Sequence, residues 1–73
     1  MSHSNQRGSI VDLLENLAPQ TPVSGIQVDG YYEHATAFIT LDKARGLAYF
    51  SGVGGGLVVV DISELSLIEF PGV

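Results

Sequence analysis

Few residues in this chain have the type and spacing that chemistry needs, and each candidate meets a geometric or compositional obstacle. His34 follows Glu33 and comes five residues after Asp29. A histidine among carboxylates suits a metal ion or an acid–base pair. Neighbouring residues on a strand point to opposite faces, however, so Glu33 and His34 share a site only across a bulge. The other histidine, His3, lies in the N-terminal segment. A metal would therefore need several copies of His34 gathered at a symmetry axis. Ser51, Ser63 and Ser66 are hydroxyl nucleophiles in type, but no histidine has a sequence reason to lie beside them. Asp61 and Glu64 could pair as carboxylates, and they fit a solvated turn better. The expectation is a protein without catalytic residues, cofactor or metal.

The glycine loop Gly52-Val53-Gly54-Gly55-Gly56 raises the question of phosphate binding. A dinucleotide fingerprint would need glycine at position 57, where Leu57 stands, and a helix after the loop. A P-loop would need a lysine just after the glycines. The loop leads instead into Leu57-Val58-Val59-Val60, a strand. It reads as a hairpin tip with left-handed positions, open to use as a contact loop in an assembly.

Composition sets the wider limits. Seventy-three residues make one small domain, with no cysteine to staple it. Apolar residues make up 45% and charged residues 15%. So apolar a small domain would leave apolar surface open as a monomer, and self-association is expected. The net charge is −5, and the basic residues are Arg7, Lys43 and Arg45. That balance argues against DNA and against an anionic membrane, and it disfavours RNA. No apolar run reaches membrane-spanning length, and the polar start Met1 to Gly8 has no signal-peptide core, so a cytoplasmic protein is expected.

The elements that must position these residues emerge from pattern. Residues 1–8 read as a flexible polar tail, and 9–73 as the domain. Ser9 is a suitable N-cap, with Asp12 in the first turn. Ile10, Leu13, Leu14 and Leu17 recur at helical spacing, and Pro19 stops the helix. The short helix is expected to dock on its own barrel. Val23 to Val28 reads as a strand, with Gly25 marking a bulge. Asp29-Gly30 is a hairpin turn. Tyr31 to Leu41 reads as one long strand, in which Ala35 and Ala37 permit a bend. Leu47 to Ser51 and Leu57 to Asp61 come next, then a helical turn at Ile62 to Glu64 and a last strand, Leu65 to Phe70.

Among the aromatics, Tyr31 and Tyr49 are expected near the core. Tyr32 and Phe38 share the more polar face of the long strand and are candidate partner contacts. Leu57 to Val60 forms a continuous apolar run, as in a strand covered on both faces. A chain this short has too little material for that, so another subunit is expected to supply cover. Five short strands with tight turns favour an all-β, five-stranded barrel with an N-terminal helix, because closure removes edges.

The helix, the long second strand, Val58-Val59-Val60-Asp61-Ile62-Ser63 and the later Leu67-Ile68 together resemble the Sm-like (LSm and Hfq-type) small barrel, and more broadly an SH3-type barrel. The resemblance covers residues 9–70. It implies a ring in which the fourth strand of one subunit pairs with the fifth of the next. The interface would then comprise Leu57, Val58, Val59, Val60, Leu67, Ile68 and Phe70. The family's RNA-contacting pattern carries over only to Asp42. The turn continues Lys43-Ala44-Arg45-Gly46 without the family's Asn, and Asp61-Ile62-Ser63-Glu64 replaces its Arg-Gly pair. The main expectation is a non-catalytic, ring-forming structural or scaffolding protein. The alternatives are an RNA-binding ring using Asp42, Lys43 and Arg45, and a barrel that decorates a virion or other particle.

Overall fold

The computed structural model describes residues 5–72, with side chains described from Ser9 onward. Residues 1–4 of the expected tail lie outside the described residues. Helix α1 runs Asn5–Glu15, so it starts before Ser9, which lies inside it and is no N-cap. Gln6 and Arg7 are good helix formers and extend the helix past Gly8. Beyond Glu15 the chain tightens, with Asn16 N–H and Leu17 N–H donating to the carbonyls of Leu13 and Leu14 at 3.1 and 3.2 Å.

Seven strands complete the chain: β1 (Thr21–Pro22), β2 (Gly25–Val28), β3 (Tyr31–His34), β4 (Ala37–Asp42), β5 (Leu47–Ser51), β6 (Leu57–Asp61) and β7 (Leu65–Glu69). They form two antiparallel sheets, one ordered β1-β4-β5-β6 and the other β3-β2-β7. The chain is mostly β with one short helix. The strands do not form one closed five-stranded sheet: the expected first strand, Val23 to Val28, is preceded by β1 in the other sheet, and the expected long strand is split between the sheets. The chain passes from one sheet to the other at Val23-Ser24: Val23 N–H reaches the Thr36 carbonyl at 3.1 Å, and Ser24 N–H reaches the Glu69 carbonyl at 2.6 Å. The long strand breaks at Ala35-Thr36. Thr36 N–H bonds the Ser51 carbonyl at 2.8 Å, and the Thr36 and Ser51 hydroxyls meet at 2.9 Å. Ala35 is buried at this corner, where a larger side chain would meet the core.

The core lies between the sheets and under α1. Phe50, Leu14, Ile26 and Leu65 are fully buried, and Phe38 meets Phe50 edge to face with centroids 5.7 Å apart. Ile10 and Leu17 pack against this core beside Leu14, so α1 docks on its own chain. Leu13, expected in the same stripe, instead faces solvent. Phe38 is 2% exposed and belongs to the core, which corrects its expected role as a partner contact. The corner at Ala35-Thr36 explains the difference: it passes the chain to the other sheet and ends the alternation that would have put Phe38 on the face of Tyr32. Beyond the corner Phe38 pairs with Phe50 and Thr40 with Tyr49, which leaves Ile39 as a bulge. A second bulge leaves Ser66 unpaired opposite Gln27 and Val28, rather than at Gly25 as expected.

Candidate functional site

The four-stranded sheet ends at β6, and the pairing of β6 with β5 sets its two faces. Ala48 opposes Val60 and Phe50 opposes Val58, which turns those valines toward the core. Tyr49 opposes Val59 and Ser51 opposes Leu57, on the outer face. Leu57 is 62% exposed and Val59 46% exposed, whereas Val60 is buried. The run is therefore not covered on both faces. It is an alternating edge strand whose outer residues happen to be aliphatic.

Strand β7 ends the other sheet in the same way. Leu65 is buried, Ile68 and Phe70 pack partly against the core, and Leu67 is 43% exposed. Of the residues expected at a subunit contact, Leu57, Val59 and Leu67 thus present side chains to solvent. Val58, Ile68 and Phe70 are half-buried, and Val60 serves the chain's own core.

Between β3 and β6 the two sheets leave an open seam of about 460 Å³, lined by Val28, Tyr31, Glu33, Glu64 and β6. Tyr31, expected near the core, stands 74% exposed at this seam because no described strand lies on the far side of β3. Sequence alternation could not reveal this, since the seam depends on where the two sheets part.

The outer face of the other sheet is built differently. The Tyr32 ring lies across Gly25, and its hydroxyl donates to Glu69 Oε1 at 2.5 Å. A Cβ at position 25 would clash with the Tyr32 hydroxyl oxygen, so glycine makes room for the ring. His34 meets Tyr32 edge on, at 5.1 Å and 87°. The hydrogen bond to Glu69 raises the Tyr32 pKa above its ordinary 10.0, with burial and the carboxylate charge adding to the rise. A glycine inside a strand opposite aromatic residues is the sequence sign of this arrangement.

The proposed RNA-contacting residues are occupied locally. Lys43 Nζ lies 2.6 Å from Glu15 Oε2, and the bond to Glu15 raises the lysine pKa. Arg45 Nη1 lies 3.0 Å from Asp42 Oδ2, and its bonds hold the Asp42 carboxyl below its usual range. The glycine loop is a hairpin tip: Gly54 and Gly55 adopt φ of 83° and 91°, and Gly52 N–H closes onto the Gly56 carbonyl at 2.6 Å. Among the described residues no group of His, Cys, Asp and Glu gathers in the number a metal needs, and no helix is long and apolar enough to cross a membrane.

No protein-family model, curated protein or solved structure matches this chain.

Proposed function

We propose that this chain is a non-catalytic, self-associating subunit of Sm-like or SH3-like type, joined head to tail into a ring with a structural or scaffolding role. The observation that carries the reading is the pair of outer strands. β6 and β7 are equally long, each ends its sheet, β6 shows Leu57 and Val59 to solvent and β7 shows Leu67, and neither strand carries Pro or Lys to protect the edge. Centred antiparallel pairing between copies sets Val59 opposite Leu67 of the next copy. Different edges on each subunit make the contact heterologous, which generates a ring when the rotation closes.

Strand order supports the barrel type. With β1 and β2 taken as one bent strand, and β3 and β4 as another, five strands remain in one continuous order. The 3-10 turn Ile62–Glu64 then joins the fourth to the fifth. The pairing of Lys43 and Arg45 with carboxylates weighs against the RNA-binding alternative, because Glu15 and Asp42 offset the charge that would neutralise phosphate. Light scattering over a range of concentrations tests the proposal. A mass of several subunits is expected, and a monomer that persists at high concentration overturns it.

A further inference from the structure

The seam between β3 and β6 combines features that point to a partner of definite chemistry. Its floor and walls are apolar: Val28, Val58, Leu57 and Tyr31. Its rim is acidic, with Glu33, Asp61 and Glu64 and no cation among the described lining residues. Glu33 and Glu64 have no basic partner among the described residues. The basic side chains described, Lys43 and Arg45, are engaged by Glu15 and Asp42 and take no part in this lining. Beside the seam, β6 is bonded to β5 alone, which leaves the backbone groups of its other edge available to an added strand.

We propose that this seam docks an extended peptide segment in which aliphatic side chains alternate with Lys or Arg. The backbone adds to β6, so alternate side chains turn to opposite faces: the basic ones turn to the seam side, where Glu33 and Glu64 meet them, and the aliphatic ones lie on the outer face beside Leu57 and Val59. Tyr31 at the mouth offers its ring face to a basic side chain. The peptide would take the same free edge of β6 as the neighbouring subunit of the proposed ring, so the two compete, and the inference does not rest on that ring.

The test is fluorescence anisotropy with a labelled short peptide of alternating valine and lysine. Saturable binding is expected for this peptide and none for its valine–glutamate counterpart. N-methylation of the peptide on alternate residues blocks strand addition while leaving the protein unchanged, and is expected to abolish binding. Glu33→Lys is expected to weaken binding by about tenfold or more. Asp12→Lys makes the same charge change on α1, away from the seam, and is expected to weaken it by less than about twofold. Equal losses in the two variants, undiminished binding of the N-methylated peptide, or no saturable binding at all each overturn the proposal. Light scattering on the same samples separates it from the ring. A monomer that binds the basic peptide removes the ring and keeps the docking seam. An assembly that ignores the peptide does the reverse.

Discussion

The outer faces of the two sheets handle their exposed surface in opposite ways. On the three-stranded sheet, Tyr32 folds over Gly25 and bonds Glu69, so β3, β2 and β7 are tied together by one side chain of the same molecule. On the four-stranded sheet, Leu57 and Val59 stand open on an edge that no other described strand covers. One face closes itself with a polar lock over a bare backbone. The other leaves aliphatic surface and strand hydrogen-bonding groups unused. An edge without bulge or Pro, charged only at its Asp61 end, is a place where strands add, and natural monomers usually protect such edges. In the proposed ring, the contrast puts the contact on Leu57 and Val59 of β6 and on Leu67 of β7, outside the Tyr32 lock.

Val59→Lys is the strongest way to break this comparison. Because Val59 lies on the outer face, the substitution should leave the core intact, and the circular dichroism spectrum and thermal midpoint should stay close to those of the parent chain. The mass by light scattering should fall to that of a monomer, since a charge placed opposite Leu67 of the next copy is costly in a buried contact. Parent-like assembly of this variant would show that the contact lies elsewhere. The equivalent change at Val60 should instead unfold the chain, because Val60 is 6% exposed and packs in the core.

Much of the fold is legible in the sequence because it is local. The Asp29-Gly30 turn, the helical stripe of Leu14 with Ile10 and Leu17, the glycine hairpin tip and the turn at Ile62 are each set by residues close in sequence. The errors arise where one residue breaks a period. Ala35 turns a corner, so Phe38 moves from the expected polar face into the core. Pattern puts Tyr31 near the core, on the face of the long strand that grows more apolar toward its end. Its exposure depends on the gap between sheets, which no local pattern encodes. The apolar run of β6 suggests cover on both faces, and only its pairing with β5 shows which residues are inside.

The polar lock gives a smaller and spectroscopic effect. With the Tyr32 pKa raised by Glu69, the protonated hydroxyl is the form the fold favours. Its contribution to stability is therefore complete below the ordinary tyrosine value of 10.0 and is lost as pH rises through the higher folded value. Titration of tyrosinate absorbance should show a late step that Tyr32→Phe removes and Glu69→Gln moves down. Gly25→Ala should move it down as well. The atoms that meet the new Cβ are the far end of the Tyr32 ring, so the ring swings away and the backbone stays. Unchanged tyrosine titration in both the Glu69 and Gly25 variants would mean that the lock does not hold in solution.

The smallest effect is expected at the 3-10 turn that leads into β7, where two acids differ in what they hold. Asp61 Oδ1 accepts from Ser63 N–H at 2.9 Å and from the Ser63 hydroxyl at 2.7 Å, which caps the turn. Asp61→Ala should therefore cost about 1 kcal/mol, the usual loss when a capping side chain is removed. In a domain of this size that lowers the thermal midpoint by roughly 4–8 °C. Glu64 acts here through its backbone: its carbonyl accepts Asp29 N–H at 2.9 Å, tying the β2–β3 hairpin to the turn. Glu64→Ala keeps that carbonyl and removes only an exposed carboxylate, so the midpoint and the assembled mass should both stay near the parent's. If Glu64→Ala lowered the midpoint as far as Asp61→Ala, the turn would depend on side-chain charge and not on its cap. The distinction between a closed face and an open edge would then have to include the acidic rim of β6 among the contacts that hold the fold.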